Sequence, residues 1–304
     1  MANYLTLAGI RTAIERNTKQ FTGKKGDMLD HLINMVYLSE IMMVDTLRPL
    51  FWLLQQDFTR KSVAPATITG ITQEDTGVFT TESAHGLTQT DVVHFYGIGG
   101  MTELNGVMAQ VGEVADTTHF TTNIDTSFYS AFTSGGKVYH RGITLGNNVV
   151  AHVVSAGWNG YAPVMTPLTP HDMENYTEFH NEDNTAGPPQ HYLFGKSMLS
   201  SGGDVNQLVW SPATDGSYLL RILYEQKVLR LTDDTDVPLL PSRFHDSIVA
   251  GVVARLVESK EQVGVEKASL WPTIYQAHLS AIKQFNQEYW TNVEQGKQVQ
   301  PYML

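Results

Sequence analysis

The stretch from residue 79 to residue 138, FTTESAHGLTQTDVVHFYGIGGMTELNGVMAQVGEVADTTHFTTNIDTSFYSAFTSGGKV, is the part of this chain that most limits what it can fold into. Its apolar and β-branched positions alternate with a period near 2 between glycine-rich turns, a pattern that puts one face of a strand inside and the other outside. A helix cannot bury that pattern, because its faces repeat every 3.6 residues. The flanking segments have helical spacing or different punctuation. The stretch therefore reads as a self-contained β module set into another protein.

The segments before it predict helices. Thr6 is placed to cap a first helix with an apolar stripe of Leu7, Ile10 and Ile14. Residues 22–27 read as a turn. A longer helix then follows through Leu29, Leu32, Ile33, Val36, Tyr37, Ile41 and Val44, with Pro49 expected to break it. Pro65 marks the change to β periodicity, and Asp91–Tyr96 is a strand candidate. Between residues 142 and 240 the pattern is again β-like: Val149–Val154 is a strand, residues 181–190 a polar loop, and Leu208–Trp210 and Ser217–Tyr224 suit a hairpin closed at Asp215-Gly216. Helical spacing returns after Pro241, with Ser242 as N-cap and Phe244, Ile248, Val249, Val252, Val253, Leu256 and Val257 on one side, while Ala250, Gly251 and Ala254 leave another side small. A last helix opens at Pro272 and carries Tyr275, Leu279, Ile282, Phe285 and Tyr289.

These readings predict an α+β fold: a helical bundle core formed by the N- and C-terminal helices, with a β domain and an inserted small β-barrel-like module. The expected divisions are helices over 1–62, the inserted module over 63–141, a β domain over 142–240, helices over 241–292, and a C-terminal arm over 293–304.

Composition narrows the chemistry. The chain has no cysteine, which removes disulfides, thiolate metal sites and cysteine nucleophiles. Its net charge of −11 is concentrated in the middle, with −5 over residues 61–141 and −7 over 142–240 against +1 and 0 at the two ends. No basic stripe is present to neutralise phosphates, so grasping nucleic acid is not expected, although an acidic wall suits DNA that slides past. No apolar run is long enough to span a membrane, and the first residues lack the pattern of a signal peptide.

The catalytic and metal candidates have bland alternatives. Phe194-Gly195-Lys196-Ser197 ends like a phosphate-binding loop, but Gln190 stands where that motif needs a glycine, and a turn is the better reading. Residues 232–236, TDDTD, lack the glycine and distal glutamate of a calcium loop and read as a solvated loop whose acids favour the N-terminus of the following helix. The 11 histidines form no HExxH pair, and His171-Asp172 has no activated-serine motif beside it. No enzyme site, cofactor or metal is expected. Interaction is the better expectation. Trp271, Tyr275, Phe285, Tyr289 and Trp290 make the last helix aromatic, and Tyr302 and Leu304 tip the arm, so these residues are candidate interface anchors, with an intramolecular core as the alternative.

Two family resemblances follow from particular residues. His85-Gly86, Asp91-Val92-Val93, the run Gly100-Met101-Thr102-Glu103-Leu104-Asn105-Gly106, Phe128-Tyr129 and Gly135-Gly136-Lys137-Val138 resemble the first-catalytic-cysteine half-domain of ubiquitin-activating enzymes. Thr90 departs from the pattern, which has glycine there. Similar β modules are embedded in tailed-phage structural proteins. The lack of a cysteine to form a thioester excludes the enzyme itself. The second resemblance is to phage head-to-tail adaptor (connector, neck) proteins. It rests on LTLAGIRTAI, DHLINMVYLSEI, Pro189–Gly195 and the segment from Leu208 to Glu258, of which Leu231–Leu256 is the most telling part, and above all on the order of these along the chain. It implies a virion structural protein at the head–tail interface, assembled in the host cytoplasm: a homo-oligomeric ring, commonly of twelve copies. The ring binds the portal protein and the next neck or tail protein, and DNA passes through its lumen unbound. Capsid contact through the inserted module is part of the same expectation, and no membrane is involved. The competing reading is a tail or surface adhesion protein that binds host glycan through the β module.

Overall fold

The computed structural model describes residues 5–18, 26–146, 149–159, 164–169, 186–196, 206–258 and 268–296. The chain divides into two compact units, one of residues 1–54 and 228–304 and a larger one of residues 55–227.

Among the described residues the larger unit is built of β-strands, with one 3₁₀ turn at Thr102–Leu104. Its strands are β1 (Leu54–Asp57, whose first residue lies in the other unit), β2 (Ala66–Ile71), β3 (Val78–Thr81), β4 (Val92–Tyr96), β5 (Met108–Val114), β6 (His119–Thr122), β7 (Lys137–Leu145), β8 (Val150–Trp158), β9 (Thr166–Pro167), β10 (His191–Lys196), β11 (Asn206–Ser211) and β12 (Leu220–Gln226). One sheet runs β2-β3-β6-β5-β4-β7-β11-β10-β9, and β2 also pairs with β7. Ala66 opposite Val138 and Thr67 opposite Lys137 thus close the first six strands into a barrel. Closure removes the exposed edges that a small sheet would otherwise leave. Alternate positions fill the barrel, with Phe79 stacked on Phe95 (4.7 Å) and on Phe120 (5.2 Å) among Ile68, Val93, Val111 and Val138.

Strand β7 is nine residues long and changes partners along one edge. Its first residues meet β2, while Gly142–Leu145 pair with β11, so one strand belongs to both barrel and sandwich. The sandwich sets β7, β11, β10 and β9 against a three-stranded sheet of order β1-β12-β8. Ile143, Leu208 and Trp210 meet Val153, Trp158, Leu220 and Ile222 in its core.

The smaller unit holds α1 (Leu7–Thr18), α2 (Gly26–Met35) continuing into a π-helical turn (Val36–Ile41), α3 (Asp246–Glu258) and α4 (Trp271–Glu294). Thr6 caps α1 as expected, accepting the Gly9 N–H at 3.3 Å. The next two orphan donors go to the acidic loop, Leu7 N–H to the Asp236 carbonyl (2.8 Å) and Ala8 N–H to that of Asp234 (3.2 Å). Helix α3 is covered on nearly all sides, from Ser247 through Ala254.

Several expectations are corrected. The class is not an α+β fold with a helical bundle core. Among the described residues the chain has twelve strands and four α-helices, its larger unit contains a closed six-stranded barrel, and the helices pack in the smaller unit. Helical periodicity at both ends marks where helices form, but not how much of the core they supply. β11 and β12 are not a hairpin, because they lie in different sheets and the turn between them crosses the sandwich. The second helix ends at Ile41, well before Pro49. Ser242 opens a 3₁₀ turn, and the helix begins at Asp246. The backbone carbonyls of Asp234 and Asp236 in the TDDTD loop take up the N-terminus of α1. Gly195 and Lys196 lie in a strand rather than a turn.

Among the described residues four histidines are buried: His85, His94, His140 and His245. Three of them bridge backbone groups. At His85, Nδ1 accepts the Leu87 N–H (3.0 Å) while Nε2 faces the Asp116 carbonyl (3.2 Å). At His140 the partners are the Val63 N–H (3.2 Å) and the Gly142 carbonyl (2.9 Å). At His245 they are the Leu5 N–H (3.3 Å) and the Leu240 carbonyl (2.7 Å). These partners assign the neutral Nε2–H tautomer to each ring. His94 differs, since its Nε2 has no hydrogen-bond partner among the described residues. Burial, reinforced by the Arg141 charge, pushes His94 down to about 4, and burial also lowers His245.

Two measurements test this fold. Thr90 is held at φ +74°, the left-handed region that a β-branched residue resists, at the position where the family pattern has glycine. Thr90→Gly is expected to raise unfolding stability by about 1 kcal/mol in a urea titration, the strain relieved exceeding the entropy glycine adds to the unfolded chain. For His94 and His245, the unfolded chain binds more protons than the folded one between the ordinary histidine value and the depressed ones. Their stabilisation is thus full above about pH 6.5 and lost as pH falls toward about 4. The unfolding free energy from urea titration should fall from pH 7 to pH 5, by up to about 2 kcal/mol for His94, and His94→Gln should flatten that dependence.

Candidate interaction surface

Helix α4 carries most of the predicted anchors, and in the structure they turn inward. Phe51 stacks on Tyr289 with ring centroids 4.0 Å apart and meets Phe285 edge-on at 5.0 Å. The Arg243 guanidinium lies over the Phe285 ring at 3.4 Å. Trp290 packs beside Tyr289, and its indole N–H donates to the Pro49 carbonyl (2.9 Å). Trp271 packs against the same core, half-buried. Tyr275 is buried, and its hydroxyl donates to Glu40 (3.0 Å), whose carboxylate also takes two bonds from Arg255 (3.1 and 3.0 Å). Burial, with Glu40 alongside, raises the Tyr275 hydroxyl far above the usual phenol range, so it serves only as a donor. Tyr302 and Leu304 lie outside the described residues.

The inward turn of the aromatics determines what reaches the surface. Asn286 is fully buried; it accepts the Phe51 N–H at 3.1 Å and donates to the Asp45 carboxylate at 3.0 Å. Asp45 in turn accepts the Leu47 N–H (3.2 Å), and Arg48 pairs with Glu294 at 2.8 Å. The turn at residues 45–48 is thereby pinned to the C-terminal end of α4. Leu47 (86% exposed) stands out in solvent within that turn, Met43 just before it is 62% exposed, and Val293, next to Glu294 in sequence, is exposed as well. At the other end of the same helix Leu270 and Ile274 are exposed. The stretch of helix from Ile274 to Val293 separates the two patches by roughly 28 Å. Sequence reasoning missed both. Leu47 between Asp45 and Pro49 is the one available clue, an apolar residue inside turn-forming neighbours.

The other candidates resolve differently. Arg11 joins Asp30 (2.6 Å) and Asp234, and the Asp236 carboxylate accepts the N–H groups of Thr232 (2.7 Å) and Asp233 (2.9 Å). The acidic loop is therefore engaged in capping and pairing, and no group of three or more metal-ligating side chains occurs among the described residues. His171, Asp172 and Ser197 lie outside the described residues. A cleft of about 190 Å³ opens on the three-stranded sheet, lined by Gln56, Ser155, Gly157, Val164 and Arg221. No helix among the described residues is long and apolar enough to cross a membrane.

Residues 74–141 match the family described as the ubiquitin-activating enzyme E1 FCCH domain. The match spans β3 to the middle of β7, most of the closed barrel. No curated protein matches the chain.

Gly251 tests the packing that turns α4 inward. A Cβ there would lie 2.5 Å from Val36 and 2.7 Å from the Tyr275 ring. Gly251→Ala is expected to lower stability by about 1–3 kcal/mol, read as a drop in the thermal midpoint of the helical signal.

Proposed function

We propose that this chain is a head-to-tail adaptor of a tailed bacteriophage, a structural protein that assembles as a ring beneath the portal and continues the DNA channel toward the next neck or tail protein. The observation that carries the reading is the pair of apolar patches at opposite ends of α4. A closed ring of one subunit type needs two different, complementary surfaces on each copy. A patch of Met43, Leu47 and Val293 at one end of a rigid helix, and of Leu270 and Ile274 at the other, supplies such a pair. The first patch is carried on a turn held by the buried Asn286–Asp45 network, so little ordering entropy is lost there on association. The order of segments shared with adaptor proteins supports the virion role. The acid concentrated in residues 61–240 suits a wall along which DNA moves without sticking. The FCCH-like barrel is an accessory on this reading.

Negative-stain imaging with native mass measurement, alone and with the portal protein, tests the proposal. The expected result is a large ring of one subunit type, commonly twelve copies. Leu47→Asp and Ile274→Asp should each abolish the ring while leaving the circular dichroism unchanged, and a mixture of the two variants should stop at pairs joined through the one intact combination of patches. A monomer under every condition, or rings that form equally well from both variants, would exclude this surface. Removal of residues 293–304 is expected to weaken portal docking without unfolding either unit, and unchanged docking would remove the arm from the proposal.

A further inference from the structure

Phe128 is 91% exposed, the most exposed of the large apolar side chains among the described residues, and it sits on a loop that is firmly held. The loop joins β6 to β7. On one side of Phe128, Thr126 is fully buried; its N–H bonds the Glu74 carbonyl (2.9 Å) and its hydroxyl the Thr72 carbonyl (2.8 Å). On the other side the Tyr129 carbonyl accepts from Gln73 (2.6 Å), and Glu103 accepts both the N–H (2.9 Å) and the hydroxyl (2.8 Å) of Ser130. Tyr129 and Phe132 pack onto the barrel core. Further on, Thr133 and Ser134 bond the backbone of Gly99 (2.9 and 2.8 Å). A loop pinned at so many points could have folded Phe128 inward with its neighbours, and it does not.

The charge around the ring is one-sided. Asp125 precedes Thr126, the Glu74 carbonyl bonds Thr126, Asp75 follows Glu74, and Glu103 holds Ser130, so four acidic residues belong to the loop and to the segments that pin it. The backbone and hydroxyl groups that bond Glu103 and Asp125 keep both carboxyls below the usual range and charged. Residues 61–141 carry a net −5.

We propose that Phe128 is the anchor of a docking surface for a protein partner that offers an apolar pocket rimmed by lysine and arginine. A pre-ordered aromatic at the centre of a charged rim has the anatomy of an interface hot spot, in which burial supplies affinity and the rim supplies orientation and on-rate. A second copy of this chain would bring the same carboxylates face to face, and nucleic acid and anionic membranes are repelled for the same reason. A sugar would stack on the ring but needs polar partners beside it, and the hydroxyls of Ser127 and Ser130 already donate to Asp125 and Glu103. The surface is independent of the α4 patches, so it stands or falls apart from the ring.

The test is site-specific photo-crosslinking in cells that produce the full chain. Phe128→p-benzoylphenylalanine is expected to yield one major adduct to a different protein, through a peptide with lysine or arginine close to the crosslinked residue. The same substitution at exposed Phe58 should not. With that protein purified, Phe128→Ser should weaken binding at least about tenfold without changing the thermal midpoint, and binding should fall between about 0.05 and 0.5 M salt as the rim charges are screened. An adduct to a second copy, an adduct through a peptide without basic residues, or labelling no stronger than at Phe58 would overturn the proposal. So would a glycan array on which the wild type binds and Phe128→Ser does not.

Discussion

The β unit depends on the partner change along β7. A strand has two hydrogen-bonding edges, and all the ladder groups along them must be satisfied when both sides are buried. One edge of β7 is taken by β4 from Lys137 to Gly142. The other begins on β2 and ends on β11. Where neither strand reaches, the His140 carbonyl is met by Thr214, and the His140 ring holds the Val63 N–H. Gly142 sits at this branching point, where a Cβ would lie 2.7 Å from the Leu208 carbonyl and 3.2 Å from Val92. The barrel and the sandwich can share a strand because a residue without a side chain lets three backbones converge there.

The helical unit has a comparable constraint in α3, which is packed on almost every side. Val36 and Tyr275 close on Gly251 from two directions. Tyr275 and Arg255 then share Glu40, so packing and charge hold the same three segments. Turning the aromatic face of α4 into this core leaves its two ends and the pinned turn at Leu47 as the apolar surface. The exposed apolar patches are in that sense a consequence of how the core is filled. The barrel shows the same logic, since its loop buries Tyr129 and Phe132 and leaves Phe128 outside.

Much of the local structure was legible. Period-2 alternation located the barrel strands, as in Val92–Tyr96, and the Thr6 cap and Pro272 start were readable because each depends on neighbours in sequence. Readings that required knowing which segments meet were less secure. The apparent hairpin at Asp215-Gly216 has turn chemistry that fits, but the pairing partner of β12 is β8. The acidic loop resembled a cap for the helix after it, yet its carbonyls reach α1 more than two hundred residues earlier in the chain. The aromatic stripe of α4 was visible as a stripe, but spacing alone does not say whether such a face meets its own core or another chain.

The sequence by itself determined that a β module lies between helical ends, that thiol chemistry is absent, and that the negative charge falls in the middle of the chain. These are properties of composition and local period, which need no partner to be defined. Only the tertiary structure decided that the barrel closes through β2 and β7, that β7 continues into a sandwich, and that Leu47 and Phe128 stand outside while Trp290 and Tyr129 do not. Closure, strand sharing and the inside or outside position of a single side chain depend on contacts between residues far apart in sequence, and no local pattern encodes those contacts.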